Sequence, residues 1–144
     1  MNKLNFLLSI LFISIATISF SQKDIKSEYS KMLKGTWKVD SLDVSNFNLS
    51  PEYEEIVRQK MPEIIAMTEV QFKSGNKYYK KGFEGVREGT WSVSDNGEFI
   101  LVKLNGDNKI SKTTIVKLTE DKLILAPEEP SSVNSKAYMY KAKQ

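Results

Sequence analysis

Gly35-Thr36-Trp37-Lys38-Val39 and Gly89-Thr90-Trp91-Ser92-Val93 are near copies of one another and hold both tryptophans of this 144-residue chain. Side chains two apart on an extended strand share a face, so each copy aims one Trp–Val pair to the same side. The sequence on either side consists largely of short alternating runs separated by turn residues. That texture predicts a β protein whose core is built around these two strands.

Upstream of the first copy, Ile25, Tyr29, Met32 and Leu33 recur at helical spacing, and Gly35 supplies a left-handed helix end. Within the strand expected over 36–44, Trp37 and Val39 share one face while Leu42 and Val44 share the other. One extra residue near Ser41, a β-bulge, accounts for that change of phase. After a loop over 46–50, Ser50-Pro51 reads as an N-cap followed by proline in the first helical position. Ile56, Val57, Met61, Ile64 and Ile65 then form a helical stripe, with Tyr53 at its start. Glu54 and Arg58 stand four apart in the favourable order for an ion pair. Pro62 predicts a kink, or two short helices meeting near Met61. This helical insertion is expected to lie across one end of the β structure, with its glutamates in solvent.

Strands are expected over 68–73, 77–83, 88–94, 99–104, 110–118, 123–126 and 134–141. Val70 and Phe72 share a face of the first of these, as do Tyr79 and Phe83 in the next and Thr114, Val116 and Leu118 in the fifth. Gly75-Asn76, Asp95-Asn96-Gly97, Asn105–Asn108 and Thr119–Lys122 supply the turns. With the strand that begins at Thr36, eight strands in sequence argue for an all-β, up-and-down antiparallel barrel, closed or nearly so.

The chain at this point resembles the lipocalin-like domains of secreted bacterial proteins, which are calycin-type barrels. Leu33-Lys34-Gly35-Thr36-Trp37 and Gly89-Thr90-Trp91-Ser92-Val93 with Asp95-Asn96-Gly97 carry the likeness. So do Leu118-Thr119-Glu120-Asp121-Lys122-Leu123-Ile124-Leu125 and Tyr138-Met139-Tyr140-Lys141. The resemblance implies an eight-stranded barrel over 22–144 with a short N-terminal helix, a helical insertion after the first strand, and Trp37 as a structural plug at the closed end. It also implies an interior that holds a small apolar molecule. Lipocalins pack an Arg of the last strand over that Trp, and the matching region here offers Lys141. The insertion over 50–67 looks more like fatty-acid-binding proteins, but their interior Arg pair has no counterpart in a chain whose only arginines are Arg58 and Arg87. A fatty-acid site is therefore not carried over.

Phe72, Tyr79, Phe83, Trp91 and Val116 are the candidates to line a cavity, with ordinary core packing as the alternative for each. Tyr79 is the candidate for a polar contact, because a buried phenol needs a partner. Lys77, Lys80 and Lys81 read as an exposed charged face or as a site for an acidic lipid or partner. Glu84 and Glu88 flank a Gly-rich bend, as a solvated pair or as paired carboxylates. The leading functional reading is a non-catalytic barrel that binds or carries a small apolar ligand. The alternative is an envelope protein–protein interaction module with a filled barrel and no ligand. A hydrolase or isomerase using carboxylates is a third.

Composition narrows the chemistry. With no cysteine and no histidine, the sequence excludes disulfides, thiolate nucleophiles, His bases and Cys- or His-built metal sites. The formal net charge is +3, and the lysines are interleaved with acidic residues, so no polyanion track for nucleic acid is expected. No cofactor motif is present.

Residues 1–21 have the three parts of a secretory signal: Lys3, an apolar run from Phe6 to Phe20, and small residues Ser19 and Ser21 ahead of Gln22. The run is short for a membrane span, and no cysteine exists for lipid attachment, so an exported chain with no stable membrane anchor after cleavage is expected. Mass spectrometry of the protein recovered outside the cytoplasm should find a terminus near Gln22. A chain that still begins at Met1 would refute cleavage.

Overall fold

The structure is a computed structural model that describes residues 25–43, 50–128 and 136–143. The leader expected over 1–21 lies outside the described residues, as does Val44. Helix α1 occupies residues 25–33. Strands β1 (Gly35–Asp43), β2 (Glu69–Phe72), β3 (Lys77–Gly82) and β4 (Gly85–Val93) form the first half of the sheet. Strands β5 (Phe99–Leu104), β6 (Ser111–Leu118), β7 (Lys122–Pro127) and β8 (Lys136–Lys141) form the second. Each strand pairs antiparallel with the next, and β8 pairs back onto β1, closing an eight-stranded barrel. Helix α2 (Pro51–Met67) is inserted between β1 and β2.

The expected bulge in the first strand is present. Val39 pairs with Met139 and Ser41 with Tyr138, leaving Asp40 as the extra residue. The phase change returns Leu42 to the interior, where it packs against the core. A second register shift falls between Ile115 and Lys117 of β6.

The core gathers at one end of the barrel. Trp37, Leu33, Ile100, Leu123 and Val93 are its largest fully buried side chains. Leu33 comes from α1, so the helix closes this end as a plug. The Trp37 indole N–H donates to the Leu33 carbonyl at 2.7 Å. That carbonyl is one of the acceptors a helix C-terminus leaves without an intrahelical donor, so one bond satisfies two buried groups. The Lys141 ammonium lies 5.1 Å from the centre of the Trp37 ring and donates to the Met32 carbonyl at 2.6 Å. Lys141 thus covers the tryptophan and also caps the helix. Burial lowers its pKa, an effect that nearby Glu120 opposes. Gly35 makes the approach possible, since a Cβ there would lie 2.9 Å from Lys141 Cε. A second tie holds α1 at the β4–β5 turn, where Lys26 meets Asp95 at 2.7 Å.

The tryptophan of the second copy sits in the same layer. Trp91 donates its indole N–H to the Lys73 carbonyl at 3.1 Å and meets Phe72 edge-on, with ring centres 5.1 Å apart. Two residues earlier, Gly89 allows β4 and β5 to come together. A Cβ there would sit 2.1 Å from the Lys103 carbonyl oxygen.

Helix α2 departs from expectation in several respects. It is a single helix through Pro62, so the division into two short helices does not occur. Arg58 and Pro62 are both exposed, so water can serve the Arg58 carbonyl that loses its helical donor. Arg58 pairs with Glu55 and not with Glu54. Tyr53 and Ile56 stay exposed, while Val57, Met61, Ile64 and Ile65 are half-buried. Ser50 occupies the N-cap position, but its hydroxyl makes no capping bond.

Replacing Trp37 by Ala should cost about 3–5 kcal/mol of stability in urea unfolding, the range for deleting a fully buried indole. Trp37→Phe should cost about 1–3 kcal/mol, because it strands the Leu33 carbonyl while keeping most of the volume. A Phe variant as stable as the parent would show that the indole bond contributes nothing.

Candidate functional site

Above the tryptophan layer the barrel is not filled. A cavity of about 620 Å³ occupies the half toward α2, within the size range of small-molecule sites. Val39, Val70, Tyr78 and Met139 form its lower wall, and Leu42, Leu125 and Ala137 continue the apolar lining. Register explains the set: Trp37 pairs with Val70, so Val39, two residues on, lies one layer higher on the same face. Ile64 of α2 and Thr68 beyond it reach the cavity from the insertion. Phe83 and Glu84, in the β3–β4 turn, stand at the mouth, where Phe83 is 76% exposed.

The structure separates the five candidate lining residues. Phe72 and Trp91 face inward but belong to the packed layer beneath the cavity and do not line it. Phe83 lines it, from a turn at the rim and not from a strand face. Tyr79 lies on the outer face of β3, because the β2–β3 register pairs Phe72 with Tyr78. Its ring sits under the Lys73 ammonium, 5.3 Å away. Val116 is the extra residue of the β6 bulge and points outward, 48% exposed. In its place Ile115 and Leu118 pack against the core. Trp37 lies fully buried beside the C-terminal end of α1.

Tyr78 takes the interior position expected of Tyr79. It packs against Phe72 with ring centres 5.7 Å apart, and burial pushes its phenol up to about 12. Its hydroxyl makes no hydrogen bond among the described residues and is not sealed from solvent, so a polar atom of the cavity wall is free to bond a guest. The lysine cluster is divided in the same way. Lys81 stands across from Glu69 on the outer face, whereas Lys80 faces inward and lines the cavity with Arg87 and Lys136. The two glutamates are parted as well, since Glu88 of β4 pairs with outward Tyr79 while Glu84, in the β3–β4 turn, borders the cavity. No group of acidic residues that could hold a metal occurs among the described residues.

A sequence profile described as a lipocalin-like domain matches residues 33–125. Among solved structures, the fold is similar to that of a duf4847 family protein from Bacteroides vulgatus, with 18% identity and a TM-score of 0.52 over 78% of this chain and 96% of that one. It is also similar to a lipocalin-like protein from Bacteroides uniformis, with 13% identity and a TM-score of 0.50 over 77% and 99% of the two chains. At such identities the likeness concerns the fold alone. No curated protein matches the sequence.

Tyr78 gives the cavity wall a spectroscopic marker. Phenolate absorbance should show one tyrosine ionising near pH 12, and Tyr78→Phe should remove that step. The unfolded chain releases this proton near pH 10.0. The stability linked to Tyr78 is therefore intact below about pH 10 and is lost as the pH rises toward 12. If Tyr79→Phe removes the late step instead, the β2–β3 register is wrong.

Proposed function

The chain belongs to the lipocalin-like domain family, and on that footing we propose that it binds a small, largely apolar molecule inside the barrel. The observation that carries this reading is the cavity between the packed tryptophan layer and α2. Its lower wall is apolar, so a guest gains about 25 cal/mol for each Å² of apolar surface withdrawn from water. The guest needs no covalent chemistry from the protein, and the role is one of sequestering or carrying. We place that role outside the cytoplasm, on the strength of the leader pattern over 1–21. Among the described residues, no helix is long and apolar enough to cross a membrane. The interaction-module reading presupposed a filled barrel, and the open half argues against it.

Ala137 lines the cavity from β8, which makes it a place to fill the space. A neutral apolar fluorophore should bind the full chain at one saturable site. Ala137→Trp should abolish that binding while leaving the far-ultraviolet circular dichroism unchanged. Absence of saturable binding to the parent chain, or undiminished binding to a folded Ala137→Trp variant, would overturn the proposal.

A further inference from the structure

The inner face of β3 and β4 carries a feature that apolar binding alone leaves unexplained. Lys80 and Arg87 are direct cross-strand partners, and both line the cavity at its solvent-exposed mouth. Like charges directly opposite on one face of a sheet destabilise it. On the outer face of β3, by contrast, Lys81 stands across from Glu69 of β2. The inner pair is also poorly compensated. Lys80 makes no ion pair among the described residues, and Arg87 reaches a carboxylate of Asp107 only at 3.5 Å. Lys136 adds a third cation from the start of β8, while among the described residues Glu84 is the one carboxylate in the lining. Asp43, the cross-strand partner of Lys136, is not part of the lining.

Resting on the cavity reading, we infer that the ligand is an amphiphile with an anionic head, its apolar body against Val39, Val70 and Met139 and its head between Lys80 and Arg87 near the mouth. A carboxylate or phosphate placed there turns a repulsive pair into two charge-assisted contacts, and the Arg87 guanidinium can grip it with two parallel N–H donors. Tyr78 stands two residues before Lys80 on the same face, so its unpartnered hydroxyl lies along the path between head and body. Lys136 stabilises the head from across the mouth. The site then accounts for a local charge arrangement that works against folding of the empty protein, as ligand sites commonly do.

The test compares dodecanoate, dodecyl phosphate, dodecan-1-ol and dodecylammonium, each below its micelle concentration, on the full chain. The anions should bind about tenfold or more tighter than the alcohol, with dodecylammonium weakest, and the preference should shrink as salt rises. Which anion binds tighter identifies the head as carboxylate or phosphate. A Lys80→Gln, Arg87→Gln double variant should lose the anion preference, binding the anions no tighter than the alcohol. Its melting temperature without ligand should equal or exceed that of the parent, which separates a binding role from a structural one. If the alcohol or the ammonium compound binds the parent as tightly as the anions, the head-group inference is overturned and the apolar cavity stands. Anion preference retained in the double variant also overturns the inference. If none of the four compounds binds, the cavity reading itself fails, and the inference fails with it.

Discussion

The bond from the Trp37 indole to the Leu33 carbonyl is the constraint on which the rest of the barrel depends. It joins the end of α1 to the first strand, and Lys141 closes the arrangement from the last strand by lying over the ring and donating to Met32. The adjoining α1 and β1 are held to β8, at the far end of the sequence, by one fully buried ring and one partly desolvated ammonium. A barrel has to bring its first and last strands together against the entropy of the chain between them. The Trp37–Lys141 contact stands at that seam. The Lys141 ammonium serves there because it both faces the ring and reaches a helix carbonyl.

Packing at this end leaves the other end open. The two tryptophans, Phe72, Val93, Ile100 and Leu123 fill the lower barrel, while smaller residues such as Ala126 and Ala137 face the upper half. The barrel is thus neither filled nor hollow throughout. Stability comes from one layer and ligand space from the next. Helix α2 lies beside the open half with no fully buried residue, as suits an element covering an opening. The Lys80–Arg87 pair belongs to the same division of labour, since it stands on the cavity side of the barrel, away from the tryptophan layer.

Much of the fold was legible in the sequence. The repeated Gly-Thr-Trp-x-Val stretch, the helix spacing of Ile25 to Leu33, the Ser50-Pro51 helix start and the phase change near Ser41 are local signals, and each produced the expected element. The site was legible only in part. Trp37 and Phe72 face inward, as strand alternation predicts, whereas Tyr79 and Val116 face outward against it. In β3, facing depends on how the Ser74–Asn76 turn sets the pairing of Phe72 with Tyr78, and a change of one residue exchanges the two faces. In β6, the bulge at Val116 has no turn residue or break in apolar character to announce it.

The sequence by itself determined a β protein of eight short strands, a helix at each end of the first strand, and an inventory lacking cysteine and histidine. These follow from periodicity, turn chemistry and composition, which act over a few residues at a time. The tertiary structure alone decided that Tyr78 and Lys80 face the interior, that Lys80 stands against Arg87, and that half of the barrel stays open. Those outcomes depend on register across strand pairs and on the summed volume of side chains from several strands, quantities that no single stretch of sequence contains.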